Sequence, residues 1–327
     1  MPLSLIVEVE RFPIAGVFRI SRESRTEATV VTCIIGDDRA TGRGECVPYK
    51  RYGETLEGVV ELIESLRSDI ADGITRRELM SKMPAGAARN AIDCALWDLE
   101  AKRSGKPVYE HVCRQPPRPV TTAYTISLGE PDEMATRARA VSDRPLLKVK
   151  VGGANDVARI RAVAAAAPNS RLIVDANEGW NDDNIKDNLL ACAHHNVALV
   201  EQPLPAGKDA ILRDIPHAVP VCADESLHTA DDLEAMRGLY DAINIKLDKT
   251  GGLTAALELR EKGRELGFSI MIGCMVGTSL AMAPGVLLAQ DADFVDLDGP
   301  LMLREDRVPG LRYSGALVSP PDPDLWG

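Results

Sequence analysis

Two lysines, Lys148 and Lys150, stand two apart inside the apolar run LLKVKVGG. In a strand, residues i and i+2 face the same way, so both ammonium groups project from one side of a segment built for burial. Unpaired buried charge is costly, and carboxylates or a ligand must answer it. Three later apolar runs end in carboxylates: Asp175 in LIVDAN, Glu201 in ALVEQP and Asp224 in VPVCADES. A further lysine, Lys246, ends the core of AINIKL. Any one of these carboxylates could cap a helix or pair with a lysine. Three at matching places, flanked by lysines, would repel one another without a cation. Hard oxygen ligands in an incomplete set, with room for water and substrate, suit Mg2+.

The elements that carry these residues recur evenly. Short apolar runs lead to Thr125, Lys150, Asp175, Glu201, Asp224, Lys246, Ile272 and Asp296, with steps in the low-to-mid twenties. Helical patterns such as ARIRAVAAAAP and TAALELREKGRELG lie between them. Eight such units predict a parallel α/β barrel, whose chemistry sits at the C-terminal strand ends. No eighth helix follows FVDLD, so a (β/α)7β barrel is expected over residues 117–298. Residues 1–116 read as an N-terminal α+β capping domain, bounded by the proline-rich CRQPPRPV, with the tail 299–327 packing back on it. Within the cap, residues 3–9 form a strand and RFPIAGVFRISRESRTEA reads as an arginine-rich loop. ATVVTCIIGDDRATGRGE reads as a hairpin, and helices are expected after Thr55, after Thr75 and up to Gly105.

Of the 327 residues, 45% are apolar and 27% charged, the balance of a soluble globular chain. A net charge of −11 argues against nucleic-acid or anionic-membrane partners. No apolar run is long enough to span a bilayer. The seven scattered cysteines show no CxxC pair, which suits free thiols in a reducing cytoplasm. MPLSLIVEVERF has no basic stretch before an apolar core, so no signal peptide is expected.

KVKVGG, IVDANEGW, VEQPLP, ADES and INIKLDKTGG resemble, in order and spacing, the muconate-lactonizing subgroup of the enolase superfamily. The resemblance covers essentially the whole chain and implies one Mg2+ per subunit, held by Asp175, Glu201 and Asp224. It also implies Lys150 and Lys246 as acid/base groups on opposite substrate faces, with Lys148 beside the developing enolate. Removing an α-proton next to a carboxylate creates a dianion, which a metal and ammonium groups stabilise; enolase-superfamily sites are a standard example of this arrangement.

Within the subgroup, strand eight discriminates. FVDLDGPLML sets Asp296 and Asp298 on one side, where two inward carboxylates suit an ammonium group. Their plainer reading is solvated strand-end carboxylates, or partners for Arg304. The Asp-x-Asp resembles that of dipeptide epimerases, isomerases acting on amino acid derivatives. RYGET, PAGAARNAIDCALWDL and KLDKTGGLT sharpen the likeness to the type that inverts the glutamate centre of L-Ala-Glu from murein. The glutamate side chain then needs a cation. Arg22 is the first choice, followed by Arg25 and Arg19. Thr125 and Ser127 are hydroxyls within reach of substrate, and Cys274 matches a position that approaches it through the backbone. The alternatives are a lyase of the o-succinylbenzoate synthase or lactonizing type, which needs no ammonium pocket, and a non-catalytic ligand-binding barrel. The oligomeric state is left open.

Overall fold

The structure, a computed structural model, describes residues 2–327. Strands Ser4–Arg19, Ser24–Gly36 and Thr41–Cys46 form an antiparallel sheet in that order. The hairpin lies where the sequence places it, turning over Asp37, whose Oδ1 accepts the Arg39 and Ala40 N–H groups. The arginine-rich segment departs from expectation. It is not a loop but the far half of a two-stranded ribbon, paired from Ser4↔Gly36 to Pro13↔Glu27 and again at Phe18↔Arg25 and Arg19↔Ser24. Backbone pairing tolerates polar side chains on a solvated face, and one apolar anchor suffices. Ile14 packs with Ala28 and Leu303, the last from the chain beyond the barrel. Only Ile20–Glu23 remains as a tip, closed by the Ile20 N–H donating to the Glu23 carbonyl at 3.0 Å.

Helix Ala87–Ser104 lies across this sheet and ends at Gly105 in the left-handed conformation. Its small face permits unusually close packing: a Cβ at Gly44 would lie 2.1 Å from the Ala91 carbonyl oxygen. Gly44→Ala is therefore expected to destabilise the protein by about 1–3 kcal/mol, the cost of overpacking. A thermal midpoint equal to wild type would contradict this contact. Thr55 and Thr75 cap their helices as expected, Thr75 in a capping box with Glu78.

Eight parallel strands follow: Tyr124–Ile126, Leu146–Lys150, Arg171–Asp175, Val197–Glu201, Val221–Ala223, Ala242–Ile245, Ser269–Ile272 and Phe294–Val295. They neighbour one another in chain order. The Ala123 N–H donates to the Val295 carbonyl at 2.8 Å, joining the first to the last. The outward residues, among them Val149, Val174, Val200 and Ile245, pack in the main core. Helices occupy the crossovers except the fourth, where Ala210–Asp214 is a short 3-10 turn. Pro203, Pro205, Pro216 and Pro220 crowd that connection and lack the N–H groups an α-helix needs. After the eighth strand comes a 3-10 turn, Gly299–Met302, as the absence of an eighth helical pattern suggests. The tail reaches helix Ala87–Ser104, where Trp326 Nε1 donates to the Cys94 carbonyl at 3.0 Å. Among the described residues no helix is long and apolar enough to cross a membrane.

Candidate active site

The site follows from strand alternation. One apolar layer fills the barrel interior with a residue at each of the eight strands: Ala123, Leu146, Ile173, Leu199, Cys222, Ala242, Met271 and Phe294. Two residues further along, each strand points inward again, now toward the C-terminal end. Those places hold Thr125, Lys148, Asp175, Glu201, Asp224, Asn244, Gly273 and Asp296. Another step of two brings Lys150, Asn177, Lys246 and Asp298. A buried apolar floor thus carries a polar layer, and the lysines and carboxylates singled out in the sequence belong to it.

Within the layer, opposite charges pair between strands. Lys148 Nζ lies 3.0 Å from Asp175, 2.7 Å from Glu201 and 2.8 Å from Asp296. Lys150 Nζ is 2.6 Å from Asp175 and donates to Asn177 Oδ1 at 3.2 Å. Lys246 Nζ lies 2.6 Å from Asp224, whose other oxygen takes Lys249 at 2.7 Å. Burial opposes charge on Lys148 and Lys246, but the carboxylates outweigh it and hold both ammonium groups above the ordinary lysine value. Asp175 and Asp224 are likewise kept ionised, below the usual carboxylate range, because their lysines outweigh burial.

Glu201 behaves differently. Burial first, then Asp175, push it up to about 7, and its Oε2 has no hydrogen-bond donor despite the nearby Lys148. Among the described residues, no group of three His, Cys, Asp or Glu side chains is drawn into metal-ligand geometry, since the lysines hold the oxygens. The chemistry of the set nonetheless fits a hard divalent cation: three buried carboxylates on consecutive strands, one with an orphaned oxygen.

Lys150 and Lys246 line one small cleft with Phe18, Arg25, Tyr49, Tyr52, Asn177 and Cys274. Strands two and six are opposite in an eight-membered ring, so the two amines approach it from opposite sides. Asp296 and Asp298 are buried. Asp296 turns one oxygen to Lys148 and leaves Oδ1 without a partner. Asp298 Oδ2 accepts the Thr125 N–H at 2.7 Å, and burial, followed by Asp296, raises its carboxyl to about 7. Neither aspartate pairs with Arg304. Thr125 and Ser127 line a neighbouring cleft under the ribbon. Burial pushes the Cys274 thiol up, against any nucleophilic use.

Arg22 lies at the ribbon tip against the barrel loops. It binds Glu178 at 2.8 Å, Glu225 at 2.7 Å and the Asn177 carbonyl at 2.7 Å, so its guanidinium is already spent on the barrel loops. Arg25 is placed better. It pairs with Glu23, stacks 5.1 Å from the Tyr49 ring centroid and faces the cleft. Arg19 pairs through its backbone, with Ser24 and by accepting the Leu128 N–H at 3.1 Å. Sequence reasoning also missed Asn244, Asn177 and Lys249. The first two stand two residues from Lys246 and Asp175, so alternation could have found them. Lys249 turns inward through the short helix Leu247–Thr250.

A barrel with buried lysine–carboxylate pairs at its C-terminal mouth and a capping domain over it defines an acid–base enzyme of the enolase type. Residues 3–112 match the mandelate racemase / muconate lactonizing enzyme N-terminal domain, and residues 133–310 the enolase C-terminal domain-like family. The chain belongs to the mandelate racemase/muconate lactonizing enzyme family of the enolase superfamily. It is 45% identical to an N-acetyl-D-glutamate racemase from Pseudoalteromonas, over 91% of this chain and 95% of that one. It is 44% identical to the L-Ala-D/L-Glu epimerase of Escherichia coli, over 93% and 96%. An Agrobacterium tumefaciens enolase family member with homology to dipeptide epimerases, solved with sodium and L-Ala-L-Glu, superposes over all of both chains with TM-score 0.99 and 60% identity. A dipeptide epimerase from Enterococcus faecalis, complexed with Mg and L-Leu-L-Tyr, gives TM-score 0.90 and 27% identity over 98% of each chain.

Proposed function

We propose that this chain is a Mg2+-dependent dipeptide epimerase that interconverts L-Ala-L-Glu and L-Ala-D-Glu by two-base 1,1-proton transfer. The observation that carries the reading is the pair Lys150 and Lys246, brought to one cleft from opposite strands. One amine takes the α-proton of glutamate, leaving an enediolate; the other returns a proton to the opposite face. Which amine takes the proton and which returns it depends on the epimer bound, so both serve as acid and as base. Lys148 adds fixed positive charge at the layer below.

Asp175, Glu201 and Asp224 would hold the metal, which supplies positive charge against the dianion. EDTA is expected to abolish turnover and Mg2+ to restore it, while calorimetry reads one site per chain. Full activity in metal-free enzyme would reject this ligand set.

Asp296 and Asp298 neutralise the dipeptide's ammonium, which the unpartnered Asp296 oxygen and the raised Asp298 support. Arg25, in place of Arg22, meets the glutamate side chain, and the Thr125 and Ser127 hydroxyls and the Cys274 backbone border the substrate. Residues 1–116 with the tail 299–327 form the cap and 117–298 the barrel. Reaction in the cytoplasm on peptides released from murein completes the proposal. The identity with an N-acetyl-D-glutamate racemase favours a second reading, racemisation of an N-acylated glutamate. Such a substrate has no ammonium, so comparing N-acetyl-L-Glu with L-Ala-L-Glu as substrates separates the two.

A further inference from the structure

The ribbon tip of the cap touches the barrel next to Lys150. At the ribbon tip, the Ser21 hydroxyl donates to the Asn177 carbonyl at 2.9 Å and Arg22 donates to the same oxygen at 2.7 Å. The other arm of Arg22 holds Glu225 Oε1 at 2.7 Å, and the same oxygen accepts Asn177 Nδ2 at 3.4 Å. Asn177 Oδ1 in turn accepts Lys150 Nζ at 3.2 Å. The approach is close: a Cβ on Gly152, two residues past Lys150, would lie 2.5 Å from Ser21 Cβ. Asn177 and Glu178 both adopt positive φ, 44° and 67°, a conformation that non-glycine residues reach only when their surroundings hold them there. Glu178 is further clamped by Arg51, which forms two hydrogen bonds of 2.7 and 2.8 Å.

The cap also meets the segment after the other base, but not through the ribbon tip: the Val47 N–H and Asn90 Nδ2 donate to Asp248 Oδ1 at 3.1 and 2.9 Å, two residues past Lys246. The side-chain partners of Lys246 and of its neighbour Lys249 lie on Asp224, inside the barrel. The cap residues of the cleft beside Lys246, Tyr49 and Tyr52, form no side-chain hydrogen bond to it.

We propose that Asn177 is a positioning residue for Lys150, and that Arg22 of the ribbon tip sets it, so that seating the ribbon tip aligns Lys150 and not Lys246. This rests on the two-base reading above. A general base works only within hydrogen-bond reach of its proton, and a displacement of about 1 Å costs up to about 100-fold in rate. Losing the Arg22 or Asn177 contacts therefore slows proton transfer on the Lys150 face alone.

The test uses full-length enzyme with Mg2+ in D2O, following initial loss of the glutamate α-proton signal from L-Ala-L-Glu and from L-Ala-D-Glu separately. Lys150→Ala and Lys246→Ala first establish which epimer each base serves. Arg22→Ala and Asn177→Ala are then expected to slow exchange of the Lys150 epimer by about 10- to 100-fold and that of the Lys246 epimer by less than about twofold. Arg51→Ala, which removes only the outer clamp on Glu178, is expected to leave both rates within about twofold of wild type. The Lys246 rate serves as an internal control, since misfolding, metal loss or a general lid defect lowers both. Equal slowing of the two epimers, or no slowing of either, overturns the coupling. Absence of exchange in wild type, or lysine variants that do not separate the epimers, instead rejects the epimerase reading itself, and the coupling with it.

Discussion

Lys150→Ala and Lys246→Ala each stop net epimerisation of L-Ala-L-Glu, yet each retains solvent exchange at the α-carbon of one epimer. The first half follows from general acid–base catalysis, which contributes typically 10²–10⁴-fold, so a lost base leaves epimerisation at or below about a hundredth of the wild-type rate. The second half follows from geometry. The two amines come from strands two and six, pair with different carboxylates, Asp175 and Asp224, and share one cleft. The surviving amine can remove and return a proton on its own face, exchanging it for deuterium without inversion. Proton NMR in D2O reads both quantities in one experiment. Near wild-type epimerisation by either variant would end the two-base scheme. A variant that exchanged both epimers equally would show that one amine reaches both faces.

Asp298→Asn is expected to lower kcat/KM for L-Ala-L-Glu roughly a thousandfold, because leaving a buried charge without its partner costs about 3–5 kcal/mol. Asn keeps the shape and can still accept the Thr125 N–H with its side-chain oxygen, so the change removes charge rather than packing. Stability should move the other way. Burial and Asp296 raise the Asp298 carboxyl to about 7, so the folded protein holds a proton that the unfolded chain releases near 4. Stability is therefore lost as pH rises between about 4 and 7, and the uncharged Asn variant escapes that loss. The thermal midpoint at pH 8 should hold or rise while turnover collapses. For the same reason N-acetyl-L-Ala-L-Glu should be a poor substrate of wild type. Equal turnover of free and acetylated dipeptide would remove the ammonium pocket and favour an N-acylglutamate racemase. In parallel, Arg25→Ala should penalise L-Ala-L-Glu relative to L-Ala-L-Leu; an unchanged ratio would reject that arginine alone.

Much of this site was legible in the chain because a strand's side-chain period is local. Lys148 and Lys150 must share a face, and a carboxylate ending each of three evenly spaced runs must arrive at the same barrel mouth. The apolar layer from Ala123 to Phe294 and the polar layer two residues on follow the same rule. The motifs from KVKVGG to DLDGP carried the family resemblance for the same reason, since each sits at a strand end.

Contacts between distant segments were not legible. Nothing local distinguishes Arg22 from Arg25; the ribbon's register turns one into the barrel loops and the other toward the cleft. The polar segment 11–28 read as a loop because pattern reports side chains, whereas the ribbon is held by backbone pairing and by Ile14 packing against Leu303. Nothing in the sequence pattern marks Lys249, which a single helical turn swings onto Asp224. The fold decides such partners because they depend on how closely two backbones approach, as at Gly152 beneath Ser21, and that distance is set by the packing of the cap on the barrel.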